Sequence, residues 1–171
     1  PFVVPKLMNN AAASHVSMAY NLKGPSFTVS TACASSNHAM AQAFQMVRSG
    51  MSPVMLTGGS ESMLCFGGVK AWEGLRVMSK TACRPFSKTR DGMVQGEGAA
   101  ILVLEELEMA KARGANILGE IVGFGSSADA GDMRLIVSTR SRHRSRTFLS
   151  STIVPFILPF SSVSASIRVR W

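Results

Sequence analysis

The feature that most constrains the fold is a change of sequence period within residues 24–50, where a short extended segment gives way to a helix. Residues 27–30 are aromatic, β-branched or small and predict the end of a strand. From Ala34 onwards, apolar residues recur at helical spacing, and Gly50 can end the helix in the left-handed conformation. The apolar positions are Met40, Ala43, Phe44 and Val47. Cys33 is therefore predicted to lie at or just before the first helical turn.

Cys33 has the surroundings of a nucleophile. The first backbone N–H groups of a helix have no partner within it, and the positive end of the helix dipole lies beside them, so this position favours a thiolate over a thiol. Small neighbours would let a substrate approach the sulfur closely. They are Thr31, Ala32, Ala34, Ser35 and Ser36. The alternative is a structural cysteine, because free cysteine is among the most buried residue types, although a core cysteine usually has larger apolar neighbours.

Helices and short apolar strands alternate after this stretch, which predicts an α/β fold with strands buried on both faces. Residues 53–57 are predicted to form a short apolar strand that Gly58 and Gly59 are expected to end. Later in the chain, a strand, a helix that Gly114 stops and a second strand predict a β-α-β unit. These three segments are residues 99–104, 106–113 and 117–122.

Three other segments have less regular patterns. The two prolines within residues 1–10 predict an extended entry. Residues 63–79 combine glycine with large apolar side chains, which suits either a mobile lining of an apolar pocket or ordinary core packing. Residues 84–98 are polar and rich in glycine but lack the phosphate-binding P-loop pattern, and their glycines precede a strand instead of following one. We therefore expect a structural turn held by pairing of arginine and aspartate side chains.

Several motifs resemble those of the β-ketoacyl-[acyl-carrier-protein] synthases, and within that family those of the type II branch and its nodulation-associated relatives. The motifs occur in the family's order, and the resemblance covers residues 1–133. The motifs are STACASSNHAMAQAF, TGGSE, CRPFSKTRDGMVQGEGAAILVLEELEMAKARGA and EIVGFGSSADAGDM. The resemblance implies a thiolase-like fold, of which residues 1–133 would be part of the N-terminal half-domain, and a homodimeric parent enzyme.

The resemblance also implies the chemistry. In the family, the cysteine that Cys33 matches takes an acyl group from the phosphopantetheine thiol of acyl carrier protein, and no other cofactor is needed. Two histidines then promote decarboxylation of malonyl-carrier protein, and the carbanion attacks the acyl-cysteine in a step of fatty-acid biosynthesis. The family's two histidine motifs have no match in this sequence, and His143 fits neither of them. His38 would lie roughly 140° around the helix from Cys33, so we interpret His38 as structural. A polyketide-type ketosynthase is the alternative within the same fold. We expect the chain alone to be inactive in condensation.

Single positions carry further implications of the resemblance. Trp72 matches an aromatic residue that lines the acyl channel, and Val3 matches a position that reaches the neighbouring subunit's pocket. Arg76 matches a basic residue that can meet the acidic carrier protein. Glu61 and Asp129 match acids that support the site without taking part in the chemistry.

The net charge of +8 comes from residues 134–171, which carry seven arginines, nine serines and no acid, whereas residues 1–133 carry 11 basic and 10 acidic residues. The body of the chain therefore gives no electrostatic reason to expect nucleic acid as a partner. The tail has three interpretations. It could be an RNA-binding tract, which would make this a non-enzymatic binding protein, or it could contain an apolar element that binds a membrane surface. It could also be sequence foreign to the family, which arose from a frame shift, a mispredicted reading frame or a degraded gene copy. We favour the third, with a disordered tail, because the composition changes abruptly after Met133.

Cysteine spacing and hydropathy indicate whether the chain has disulfides, a metal site or a membrane span. Three cysteines without CxxC spacing argue against a disulfide framework and against a metal site, and suit a reducing compartment. No apolar run approaches the roughly 18 residues that a membrane span needs. The family resemblance implies a location in the cytoplasm of a bacterium, or in the mitochondrion or plastid of a eukaryote. We expect no targeting segment within this sequence.

Overall fold

The structure, a computed structural model, describes residues 3–126, residue 128 and the strand Ser166–Val169. The described part divides into two units, of which the first contains residues 3–59 and 100–126 with the strand Ser166–Val169, and the second contains residues 60–99 with residue 128. In chain order, the elements are α1 (Val3–Leu7), α2 (Ala11–Ala19), α3 (Ser35–Arg48), β1 (Val54–Glu61), α4 (Phe66–Gly74), β2 (Gly98–Glu106), α5 (Leu107–Ala112), β3 (Ile117–Ile121) and β4 (Ser166–Val169). None of the described helices combines the length and the hydropathy that crossing a bilayer requires.

Helix α3 provides most of the core of the first unit. The predicted helix is confirmed: it begins at Ser35, and Gly50 follows it with a φ of 71°, the left-handed conformation that ends helices. Phe44 and Val47 are almost fully buried, with 1% and 2% of their surface exposed, and pack with Ala43 against Leu104 of β2. The apolar spacing read from the sequence therefore identifies the face of α3 that contacts the sheet.

The four strands form one sheet in the order β1-β2-β4-β3. Strands β2 and β3 are each parallel to β4, and α5 connects β2 to β3, so the predicted β-α-β unit is confirmed. The Glu106 N–H donates to the Pro53 carbonyl (3.1 Å), and Gly58 lies against Ala100, so β1 runs antiparallel to β2. The expectation of a disordered tail is wrong for Ser166–Val169, which forms β4 in the middle of the sheet because its backbone pairs with both β2 and β3.

The expectation that Gly58 and Gly59 end the first strand is wrong, because β1 continues through both to Glu61. Both glycines permit close packing instead of a turn. A Cβ on Gly58 would overlap the carbonyl oxygen of Ala100, and a Cβ on Gly59 would lie 2.8 Å from the Ser36 Cβ. The glycine pair therefore lets β1 approach β2 and the first turn of α3.

Other local expectations are also corrected. Residues 27–30 belong to none of the described strands, because an apolar extended segment becomes a strand only when a neighbour pairs with it. The entry is helical, since α1 includes Pro5 in its first turn, where a missing N–H costs no hydrogen bond. Residues 63–79 contain α4, and the choice between a mobile pocket lining and ordinary core packing stays a prediction.

The sheet is not buried on both faces within the described residues. On the face opposite α3, strands β1 and β2 expose Val54 (39%), Leu56 (37%) and Ile101 (53%). The apolar residues of β1 predicted that both faces of the sheet would be covered, but the described helices cover only one face.

The second unit contains the polar turn that the sequence predicted. Asp91 accepts hydrogen bonds from the Ser79 hydroxyl (2.6 Å) and the Thr81 hydroxyl (3.2 Å), and it forms an ion pair with Arg84 at 3.2 Å. The Ser79 hydroxyl oxygen in turn accepts from the N–H groups of Thr81 and Ala82. The expectation of a structural turn held by an arginine and an aspartate is confirmed.

Candidate active site

The chain makes a tight turn immediately before α3, and Cys33 lies on it. Ala32 has a φ of 50°, a left-handed conformation that is uncommon for a residue with a side chain. The Ala34 N–H donates to the Thr31 carbonyl and the Ser35 N–H to the Ala32 carbonyl, both at 3.1 Å. The turn leaves the Cys33 thiol exposed, one residue before the N-cap of the helix. The predicted position of Cys33 at the start of a helix is confirmed.

Ser35 braces this turn from the first position of α3. Its hydroxyl donates to the Ala32 carbonyl (2.6 Å) and accepts from the Thr31 N–H (2.9 Å). The sequence pattern identified Ser35 only as a small neighbour of the cysteine. Serine at a helix start commonly bonds to backbone groups, so this signal was available in the sequence.

The start of α3 also carries hydrogen-bond donors beside the thiol. The first intrahelical bond is donated by the His38 N–H to the Ala34 carbonyl. Within the part of the chain that the structure describes, the backbone N–H group of Ser36 donates no hydrogen bond to another backbone group. Donors in this position can stabilise the negative charge that develops on a thioester oxygen during attack by the sulfur.

His38 connects two segments of the first unit. Its Nδ1 lies 2.7 Å from the Thr31 Oγ1, and its Nε2 lies 3.1 Å from the Ser126 Oγ. Both ring nitrogens are therefore engaged with hydroxyl groups. These contacts agree with the prediction that His38 has a structural role and is not the base for Cys33.

A second cysteine also begins a helix, which the sequence pattern did not reveal. Cys65 is the N-cap residue of α4, and it is exposed, as is Cys83. The neighbours of Cys65 are the large residues Leu64 and Phe66, whereas Cys33 has small residues on both sides. A helix start alone therefore does not distinguish Cys33 within this chain; the turn and its small residues do.

Glu61 and Glu97 lie in the second unit, and the supporting role expected of Glu61 stays a prediction. Glu61 ends β1, is exposed, and accepts one hydrogen bond, from the adjacent Ser62 N–H at 3.2 Å. Glu97 accepts from the Leu64 N–H at 2.8 Å and from the Ser62 hydroxyl at 3.4 Å, so it holds the segment that follows β1. The sequence pattern identified Glu97 only as one charge in a polar turn.

The remaining predicted site residues are not brought together with Cys33 by any described contact. Val3 is two-thirds exposed in α1 of the first unit. In the second unit, Trp72 is half-buried in α4, and Arg76 is exposed just after it with a φ of 56°. Asp129 lies outside the described residues, as does the arginine-rich tract of the tail. The roles of these residues stay predictions.

Among the described residues, no group of three or more histidine, cysteine, aspartate or glutamate side chains could hold a metal ion.

The α/β sheet and the exposed cysteine at the start of α3 are features expected of the cysteine-dependent acyl-transfer enzymes that the motifs resemble. A family model, "Beta-ketoacyl synthase, N-terminal domain", matches residues 1–110. The chain therefore belongs to the β-ketoacyl synthase family.

Similar proteins are known by sequence and by structure. Nodulation protein E of Rhizobium sp. (strain N33) is 55% identical over 127 residues, which are 74% of this chain and 32% of that protein. The 3-oxoacyl-[acyl-carrier-protein] synthase 2 of Staphylococcus aureus is 44% identical over 135 residues, which are 76% of this chain and 34% of that protein. This chain thus spans about a third of the length of these curated relatives.

A solved structure of a type II polyketide synthase acyl-carrier protein in complex with its ketosynthase, the AntDE:AntF complex, includes a similar chain. That chain is 36% identical, with a TM-score of 0.59, and the match covers 63% of this chain and 28% of that one.

Proposed function

We propose that this chain is part of a 3-oxoacyl-[acyl-carrier-protein] synthase, an acyltransferase, in which Cys33 accepts the acyl group. The observation that carries the proposal is the exposed Cys33 thiol on a braced turn at the start of α3, within a chain that belongs to the β-ketoacyl synthase family. The parent enzyme would elongate acyl chains in fatty-acid biosynthesis.

The first half-reaction follows from this geometry. The Cys33 sulfur attacks the carbonyl carbon of an acyl thioester, and backbone N–H groups at the start of α3 stabilise the negative charge on the carbonyl oxygen. A carbon–sulfur bond to Cys33 forms, the bond to the carrier thiol breaks, and the departing thiolate takes up the proton that Cys33 gave up. The product is an acyl-cysteine and a free carrier thiol.

The second half-reaction needs groups that the described residues do not provide beside Cys33. Decarboxylation of a malonyl thioester produces an enolate, which neutral imidazoles stabilise in the family. The sequence contains three histidines: His38 is engaged with two hydroxyl groups, His15 is exposed on α2, and His143 lies outside the described residues. We therefore propose that the chain alone performs acyl transfer and not condensation.

The proposed partners follow from the same reaction. Acyl carrier protein would deliver the substrate, and support comes from the structurally similar ketosynthase, which is bound to its acyl-carrier protein. Arg76 is exposed in the second unit and remains our candidate for contact with an acidic carrier surface. We extend the proposal to a homodimeric parent, on the resemblance alone.

The experiment is to incubate the purified chain with acyl-loaded carrier protein, with and without malonyl-loaded carrier protein. We expect the intact mass of the chain to increase by one acyl group, and no 3-oxoacyl product to form. A chain that is never acylated would overturn the proposed transfer, and abundant 3-oxoacyl product would overturn the proposed lack of condensation.

A further inference from the structure

We infer that His38 is a positioning residue for Cys33, an inference that rests on the proposed function of Cys33 as the acyl acceptor. The imidazole joins Thr31, two residues before the nucleophile, to Ser126, which follows β3. Through these two bonds it ties the turn that presents the thiol to a distant part of the chain.

The turn needs such a restraint because its backbone is strained. Ala32 holds a φ of 50°, a region that residues with a Cβ populate sparsely. Strained conformations persist when the surrounding structure determines them from several sides, and they concentrate at functional sites. The position of the Cys33 sulfur depends on this conformation, because Cys33 follows Ala32 directly.

Thr31 is held from three sides. Its N–H donates to the Ser35 hydroxyl, its carbonyl accepts from the Ala34 N–H, and its hydroxyl bonds to His38. The first two bonds stay within the turn and the start of α3. The bond from His38 to Ser126 spans 88 residues and, within the part of the chain that the structure describes, ties the turn and its helix start to the segment after β3.

The geometry suits positioning better than proton transfer. A neutral imidazole donates through one ring nitrogen and accepts through the other, and a hydroxyl group can do either, so the Thr31–His38–Ser126 chain can form with either tautomer. Because both nitrogens are occupied, His38 has no free nitrogen to take a proton from Cys33. It acts on the thiol through the turn.

The test compares variants of the full chain by two rates: acylation of Cys33 by acyl-loaded carrier protein, and alkylation of Cys33 by iodoacetamide, with Cys65 and Cys83 as references in the same sample. His38→Ala removes both bonds, and Ser126→Ala removes only the anchor. His38→Asn places an amide near the Nδ1 position and can keep the bond to Thr31. His15→Ala, on the exposed face of α2, is the matched control.

We expect His38→Ala to slow acylation of Cys33 by about tenfold or more, since small displacements of a reacting atom are costly. Ser126→Ala should slow acylation similarly. The variant that combines His38→Ala and Ser126→Ala should be no slower than His38→Ala alone. The acylation rate of His38→Asn should fall between those of His38→Ala and the wild type. The reference cysteines and the His15→Ala variant should react as in the wild type. If His38→Ala also loses helical circular dichroism, Ser126→Ala decides.

Failure of this inference and failure of the proposed function give different results. If the wild type is acylated and His38→Ala and Ser126→Ala react at the same rate as the wild type, the positioning role is overturned while the acyl-transfer proposal stands. If the wild type is not acylated, the proposed function fails, and equal alkylation rates of Cys33 in all variants would overturn the positioning role as well.

Discussion

Gly59 in β1 lies against Ser36 in the first turn of α3, so closely that a Cβ on Gly59 would lie 2.8 Å from the Ser36 Cβ. A Cβ is fixed to the backbone, so neither group can move aside without shifting the helix or the strand. Ser36 follows Cys33 by three residues. The contact therefore sets how closely the start of the helix that follows Cys33 approaches the sheet.

Gly59→Ala should lower the free energy of unfolding by about 1–3 kcal/mol, the usual cost of overpacking. Gly119→Ala is the control, because a Cβ at Gly119 in β3 would meet nothing within 4 Å. Denaturant unfolding of both variants measures the difference. Ser36→Gly removes the opposing Cβ, so the added cost of Gly59→Ala should shrink in that background. Equal stability of Gly59→Ala and Gly119→Ala would contradict the packing described for Gly59.

The glycine pair shows what the sequence could and could not predict. A Gly-Gly pair after an apolar run predicts a turn. The prediction fails because the glycines are required by close contact with Ser36 and Ala100, which lie elsewhere in the chain and are not part of the local pattern. By contrast, the change of period at Ala34 is local, and it correctly placed Cys33, the buried face of α3 and Gly50.

The same distinction applies to the candidate site. The resemblance and the local pattern identified Cys33, and the polar composition of residues 84–98 predicted the arginine–aspartate turn. The link from His38 to Ser126 joins residues 88 positions apart, and no local period reports such a pairing. The position of Glu97 beside Leu64 likewise depends on how the chain returns to β1.

Asp91 makes the polar turn sensitive to acid. The Ser79 hydrogen bond, above all, lowers the pKa of the Asp91 carboxyl below its usual value of 3.8; partial burial opposes this shift, and Thr81 and Arg84 add to it. A carboxyl whose pKa is lower in the folded state stabilises the fold above the unfolded-state pKa, and this stability is lost as the pH falls through the folded-state pKa. We therefore expect the turn formed by residues 79–92 to open below about pH 4.

Hydrogen exchange of residues 79–92, corrected for intrinsic rates, measures this opening. Protection in the wild type should decrease between pH 5 and pH 3, whereas Asp91→Asn should already be poorly protected at pH 5 and change little on acidification. Glu73→Gln removes an exposed pair with Lys70 and should leave the turn unchanged. Full protection of Asp91→Asn at pH 5 would rule out this role for Asp91.

Glu105 is a buried carboxylate that depends on Arg113. Only 2% of Glu105 is exposed, and the guanidinium group donates to both carboxylate oxygens, with Nε to Oε1 at 2.9 Å and Nη2 to Oε2 at 2.7 Å. Arg113→Met leaves the buried charge of Glu105 without this partner and should therefore reduce the thermal stability. The control is Lys111→Met, which breaks the exposed pair with Glu108 and should cost at most about 0.5 kcal/mol. The loss from Arg113→Met should be clearly larger.

Thermal unfolding of these variants and of Arg113→Lys measures the ranking. Lysine keeps the charge but not the two-pronged geometry, so Arg113→Lys should fall between the wild type and Arg113→Met. Equal losses from Arg113→Met and Lys111→Met would show that the buried pair does not stabilise the junction of β2 and α5.

The role proposed for Cys33 is tested most directly by locating the acyl group with peptide mass spectrometry after the chain has been incubated with acyl-loaded carrier protein. All three cysteines are exposed, and Cys65 also begins a helix, so the chain contains its own comparison. We expect one acyl group on Cys33, little on Cys65 and Cys83, and none in Cys33→Ala. Acylation of Cys65 or Cys83 to the same extent as Cys33, or no acylation of Cys33, would show that Cys33 is not the acyl acceptor.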